Sequence, residues 1–377
     1  MKIDQHIWKS KNDILNVREG IQNKSKTQLV LAFGDRMIFE KNDLWFYYIK
    51  NLYPNAEIIS STSAGEIADG KVFDNTISIT AICFEKTKIK AISVNIDDEN
   101  INAVGKRLIT KIKLEGLKHV FLLSSGMNMN GDDLIDGINN YFPEEVSVTG
   151  GIAGDGERHE KTLVGLNALP IENNVVAIGF YGTSLTIKHG IHKGWIPFGP
   201  KRLITKSFKN KLYELDGKNA LSIYKKYLGD KASELPGSAF LFPLGVYADD
   251  QPEPIIRTIL TIDEKEQSMT FAGNLKEGNY VQLMTADLNE LVYGSYDTAL
   301  NLNNKDEESP ELIFIVSCIG RKIVLGEGIG DEIENIVDAT EKSVLAGFYS
   351  YGEFAPPNNG TKCCLHNETL VITTFFE

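Results

Sequence analysis

Cysteine is scarce in this chain: four residues in 377, at Cys83, Cys318, Cys363 and Cys364. None is spaced as CxxC, so a disulfide framework, a structural zinc site and a c-type haem attachment find no support, and the usage fits a reducing, cytoplasmic interior. Long apolar runs are missing too. The longest, residues 175–182, is far too short to cross a bilayer. The first seventeen residues alternate charged and apolar side chains and lack the apolar core of a secretory signal. Positive charge is in deficit, with 39 Lys and Arg against 51 Asp and Glu, a net charge of −12. That balance argues against a nucleic-acid or anionic-membrane binder, since both need a positive field. A nucleophile elbow, GxSxG, and a phosphate loop, GxxxxGK[ST], are also absent. The expectation is a cytoplasmic protein with no membrane insertion and no nucleic-acid partner.

What is present is an ordinary globular composition, 42% apolar and 24% charged, on a length that suits two or three domains. One grammar recurs. Residues 29–33 form an apolar run, followed by helical spacing at Leu44, Tyr48 and Leu52, a stop at Pro54, and a second strand at 57–61 that enters Ser63-Ala64-Gly65-Glu66. Residues 120–123, the stripe Leu134, Ile138, Tyr141 and Phe142, and residues 146–149 repeat the order and enter Gly150–Gly156. Residues 312–316, the stripe Ile329, Ile333, Ile336 and Val337, and residues 343–348 repeat it again and enter Tyr351-Gly352-Glu353. Between them, alternating stretches at 76–84, 89–96, 175–181, 185–189, 203–208, 255–262, 268–272 and 280–285 have strand character, and 220–228 and 288–300 are helical by composition. The fold class is therefore α/β to α+β, with mixed sheets flanked by helices and an internal strand–helix–strand repeat. The boundary between domains is expected near Leu215–Gly217, and Asp306-Glu307-Glu308 is expected to be a solvated loop.

Each unit ends in a Gly followed by an acid: Glu66, Asp155 and Glu353. If the repeat is real, these turns should sit at equivalent strand ends, where open α/β sheets bind ligands. The competing reading is turn chemistry, in which each acid accepts local hydrogen bonds. The Gly-rich segment 150–156 precedes no helical stripe, so it lacks the helix N-terminus that would hold a pyrophosphate. A tight turn with close backbone approach suits it better. Ser317-Cys318-Ile319-Gly320-Arg321 follows a strand and opens a helix. A thiol there, with a guanidinium three residues on, is expected to have a lowered pKa; alternatively Cys318 is a buried small residue and Arg321 a structural ion-pair partner. The six histidines, including His189, His192 and His366, show no metal spacing.

In order along the chain, Ser61-Thr62-Ser63-Ala64-Gly65-Glu66-Ile67, Gly150-Gly151-Ile152-Ala153-Gly154-Asp155-Gly156, Gly194-Trp195-Ile196-Pro197-Phe198-Gly199, Leu215-Asp216-Gly217-Lys218-Asn219-Ala220, Phe242-Pro243-Leu244-Gly245, Ser317-Cys318-Ile319-Gly320-Arg321, Gly347-Phe348-Tyr349-Ser350-Tyr351-Gly352-Glu353-Phe354 and His366-Asn367-Glu368-Thr369 resemble the FIST family. The likeness implies an N-terminal domain over residues 28–215 and a C-terminal domain over 216–374. It further implies a stand-alone sensor of a small ligand, amino acids being the usual proposal, that signals through a partner such as a histidine kinase or a cyclic-dinucleotide enzyme. It implies a binding module, not an established enzyme; no metal and no cofactor are expected, haem being the alternative. A haem-based nitric-oxide sensor and a thiol-dependent enzyme using Cys318 are the alternatives. The expected ligand-binding residues are Thr62, Ser63, Gly65, Glu66, Gly151, Asp155, Cys318, Arg321, Tyr351, Gly352 and Glu353. Arg321, or less favourably Arg257, would grip a ligand carboxylate, and Glu353 or Glu66 would take its ammonium.

Overall fold

Three nearly continuous apolar stretches, Leu29–Gly34, Leu117–Ser124 and Leu312–Cys318, each lie inside a six-stranded sheet in a computed structural model of the chain. The structure describes residues 1–96, 101–126, 129–248, 253–303, 309–358 and 361–377. The acidic run 306–308 lies outside the described residues. Burial on both faces is what a strand with a parallel neighbour needs. Each stretch has one: Glu57–Thr62, Ser147–Ile152 and Val344–Ser350. On its other side each pairs antiparallel with Ile77–Cys83, Asn174–Tyr181 or Leu370–Phe376. Beyond these lie Lys2–Ser10, Lys88–Asn95 and Thr186–His192. The recurring grammar is thus a threefold structural repeat, and the chain is α+β with mixed sheets flanked by helices.

The repeats exchange strands in a ring. Glu66–Ala68 leaves the first repeat and pairs with Val344–Ser350 of the third. Val164–Leu166 leaves the second and pairs with Glu57–Thr62 of the first. Gly352–Ala355 leaves the third and pairs with Ser147–Ile152 of the second. Backbone bonds close the same ring: Ala64 N–H to the Tyr349 carbonyl at 2.8 Å, Gly154 to Thr62 at 3.1 Å, and Tyr351 to Ile152 at 3.1 Å. The inner faces of the three sheets share one core, in which Phe33 stacks on Phe348 and Phe121 meets Phe314. The outer faces are covered by helices, among them Leu44–Leu52, Asn102–Lys111 with Gly131–Asn139, and Leu288–Leu302 with Ile329–Thr340.

Residues 195–286 interrupt the third repeat and form a fourth sheet, eight-stranded, with its own core around helix Ala220–Leu228. Its two edge strands, Ile255–Arg257 and Ile259–Asp263, are consecutive in the chain, so the sheet curls back on itself. The single strand expected at 255–262 is broken at Thr258 for this reason. The division expected at 215/216 falls inside this sheet, where Lys211–Leu215 pairs with Trp195–Phe208 before it and Ser268–Phe271 after it. Gly150 and Gly151 are not in a turn, as the sequence suggests, but continue the strand Ser147–Ile152. A Cβ on Gly150 would stand 1.9 Å from the Leu122 carbonyl oxygen, so the expected close backbone approach is real and lies within the sheet.

Candidate functional site

Two of the three Gly-acid turns are equivalent. Glu66 is the first and Glu353 the second residue of an exchanged strand, opposite Phe348 and Gly151. Each carboxyl accepts from a serine three residues earlier, Ser63 at 2.6 Å or Ser350 at 2.5 Å. Each also accepts from a threonine ahead of the last strand of its repeat, Thr76 at 2.7 Å or Thr369 at 2.8 Å. Burial raises both pKa values to about 8. The second repeat departs from the expected equivalence. A longer loop follows Ile152, Val164 takes the position opposite Ser61, and Asp155 sits within that loop. Burial pushes Asp155 up, but Arg36 and Arg158 outweigh it and hold the carboxyl below its ordinary range. Both guanidiniums donate to Oδ1 at 2.9 Å.

The acids do not converge. Gly151, Gly352 and Glu353 lie buried inside the exchange between the second and third repeats. Thr62 accepts from the Leu163 N–H at 3.0 Å. Tyr351 donates to the Gly156 carbonyl at 2.9 Å, and its ring stacks on His159 at 4.6 Å. Arg321 is fully buried. It bonds Glu332 through Nε and Nη2, the Leu291 carbonyl through Nη2 and the Lys193 carbonyl through Nη1, so the fork is already filled. Arg257 is likewise engaged, with Asp132 and the Leu365 carbonyl. Cys318 is buried, and burial, with Glu353 and Glu368 nearby, raises its pKa well above the ordinary thiol value. The lowered pKa expected from its helix-start position is thus reversed, because desolvation dominates.

An open cleft of about 760 Å³ lies at the carboxyl ends of Leu29–Gly34 and Glu57–Thr62. Ser63, Gly65 and Glu66 line it from the first repeat, Gly156, Glu157 and Arg158 from the second, and helix Ile319–Leu325 from the third. Lys322 reaches across it, donating to the Ala64 carbonyl at 2.9 Å and to Asp74. Arg158 donates to Asp35 at 2.7 Å from the opposite side. Ile319, Ile323 and Ile329 form an apolar wall. The cleft therefore presents both signs of charge beside an apolar surface. Asp35, Asp74, Arg158 and Lys322 escaped the sequence reading. Their signal was thin: a basic residue three after Asp155, and another beside the more conspicuous Arg321. Among the described residues no histidine, cysteine, methionine or tyrosine lines the cleft, so none of them offers a haem iron an axial ligand there.

Among the described residues no helix is long and apolar enough to cross a membrane. The FIST N domain matches residues 28–218 and the FIST C domain residues 220–356. An uncharacterised protein of Methanocaldococcus jannaschii is 23% identical over 368 residues, spanning 90% of this chain and 69% of the relative.

Proposed function

Because the chain belongs to the FIST family and carries its N and C domains in tandem, we propose that it is a cytoplasmic sensor whose open cleft binds a small zwitterion, an α-amino acid or close analogue. FIST domains are generally sensory domains for small ligands in signalling proteins. The observation that carries the finer reading is the lining of the cleft. Lys322 and Arg158 supply cations for a carboxylate, Asp74 and Asp35 supply anions for an ammonium, and the isoleucine wall takes a side chain. Ser63, Gly65 and Glu66 remain in this site; Lys322 and Arg158 take the part first given to Arg321.

Occupancy has a route outward. Helix Ile319–Leu325 places Lys322 and Ile323 in the cleft, while its Val324 packs on Trp195, Ile256 and Met284 of the inserted sheet. A ligand that draws Lys322 away from Asp74 biases how the helix seats on that sheet, which is the differential contact a sensor needs. A histidine kinase or a cyclic-dinucleotide enzyme would read the change. Neither alternative gains an observation: among the described residues the cleft lining holds no haem ligand, and Cys318 is buried outside that lining.

Thermal unfolding against a panel of amino acids tests the proposal. A ligand at a hundred times its Kd stabilises by about 2.7 kcal/mol. The expected result is one hit class whose shift is lost in Lys322→Met. A hit that Lys322→Met and Asp74→Asn both leave intact would remove the cleft from consideration.

A further inference from the structure

The threefold repeat creates three equivalent seams, and one of them is roofed. Cross-strand pairing aligns Glu66 with Phe73, Val164 with Ile171, and Glu353 with His366. The segments that follow are therefore equivalent: Asp74-Asn75-Thr76, Glu172-Asn173-Asn174 and Asn367-Glu368-Thr369. Their backbones agree, with left-handed φ of 54° at Asn75, 53° at Asn173 and 57° at Glu368. In the first seam, Asp74 and Asn75 line the open cleft against the third repeat's helix. In the second, Ile171 and Glu172 line another open cleft against Phe39 and Glu40 of the first repeat.

The third seam meets the second repeat's helix, where a Cβ on Gly131 would lie 3.0 Å from Leu365. The inserted sheet closes it. Arg257 donates to both oxygens of Asp132 at 3.0 Å and to the Leu365 carbonyl at 2.9 Å. Thr258 donates to Glu368 Oε1 at 2.7 Å, and Trp195 to the Glu368 carbonyl at 2.8 Å.

Under this roof the polar groups lack partners. Asn367 makes no hydrogen bond through either side-chain atom, Glu368 Oε2 has none, and neither has His366 Nδ1, nor Arg257 Nε in the roof itself; all four residues are buried. Their counterpart Asp74 is more than half exposed and paired with Lys322. Asparagine tolerates the left-handed backbone that the first two seams use, whereas a glutamate there is uncommon. Buried polar groups in native proteins are satisfied, and clustered exceptions call for an occupant.

We propose that this roofed seam is a second binding site, for a small amine that carries a neighbouring hydroxyl or carbonyl oxygen. The chemistry selects the class. His366 Nε2 lies 3.0 Å from the Ala355 carbonyl, which only accepts, so the ring proton is on Nε2 and Nδ1 is an acceptor. Burial, with Arg257 nearby, keeps that ring neutral. The unpartnered acceptors are Nδ1, Glu368 Oε2 and Asn367 Oδ1, which suit an ammonium, and the unpartnered donors are Asn367 Nδ2 and Arg257 Nε, which suit the neighbouring oxygen. Arg257's charge is already taken by Asp132, so a free anion would enter without a countercharge of its own, whereas an ammonium meets Glu368.

Thermal unfolding of the full chain with ethanolamine, glycinamide and, as anion control, acetate tests this site separately from the open cleft. Both amines raise the midpoint saturably and acetate does not. The rise is lost in Glu368→Gln and Asn367→Leu and kept in Lys322→Met. Without any amine, Asn367→Leu unfolds at a higher temperature than the parent chain, because an unpaired buried amide is gone. Two results overturn the proposal: no response to either amine, or a response that Glu368→Gln retains. A lowered midpoint for amine-free Asn367→Leu would also overturn it, since the amide would then be held by the fold itself.

Discussion

Glu66 and Glu353 are buried acids that do structural work, and their protonation sets how stability depends on pH. Each has its folded pKa raised to about 8 by burial, from an ordinary 4.5. A carboxyl raised on folding contributes stability in its neutral form, present below the unfolded pKa and lost as pH climbs through the folded value. Asp155 has the opposite sign: Arg36 and Arg158 outweigh its burial, so its contribution is lost as pH falls below its ordinary 3.8. The unfolding midpoint is therefore expected to decline between about pH 5 and 9. Glu353→Gln, which keeps the shape and stays neutral, should flatten that decline. A midpoint that rises from pH 6 to 8.5 would refute the assignment. Cys318 supplies a second check. Its thiol is buried and its pKa raised, so alkylation at pH 7.5 should be slow in the native protein and fast in denaturant, with half-buried Cys83 and Cys364 reacting before it. Native-state labelling of Cys318 as fast as in the unfolded chain would reopen the thiol-enzyme reading.

The elements divide into those a periodic signal announces and those it does not. The three apolar central strands are legible because a run long enough to bury announces itself, and helix Ala220–Leu228 is legible by its composition. The exchanged strands Glu66–Ala68, Val164–Leu166 and Gly352–Ala355 are three or four residues long, too short for a period, and their partners lie in other repeats. That is why the turns were seen as equivalent when only two are, and why Arg321 was assigned to a ligand: nothing near it in sequence names Lys193, Leu291 and Glu332 as its partners. The strand Lys2–Ser10 has a signal too, the alternation of charged and apolar side chains among the first residues. Glycine contacts turn the packing into a prediction. A Cβ on Gly105 would stand 2.0 Å from the Gly137 carbonyl, between helices Asn102–Lys111 and Gly131–Asn139. Gly105→Ala should cost about 1–3 kcal/mol. Gly330, in helix Ile329–Thr340, has nothing within 4 Å, so Gly330→Ala should stabilise by about 0.5–1 kcal/mol. Denaturant midpoints of the two variants moving in the same direction would contradict the helix contact.

At the scale of the whole molecule, the ring of exchanged strands and the inserted sheet make different demands on the chain. Each repeat completes a neighbour's sheet, so no repeat buries its core alone. The inserted sheet contains all its own strands and its own core. Its ends meet as well, the Asp287 N–H donating to the Gly194 carbonyl at 3.3 Å. A segment of residues 194–287 should therefore fold by itself, with a cooperative thermal transition by circular dichroism. A segment of residues 28–218, the extent of the FIST N domain match, should not. It lacks Lys2–Ser10 from one sheet, lacks Val344–Ser350 to receive Glu66–Ala68, and holds only the first strands of the inserted sheet. If the 28–218 segment melts cooperatively and 194–287 is unfolded, the working unit is the sequence-matched domain rather than the strand ring. The coupling proposed through helix Ile319–Leu325 would then lose its basis, because that helix signals only if the ring and the inserted sheet are two bodies that can shift against each other.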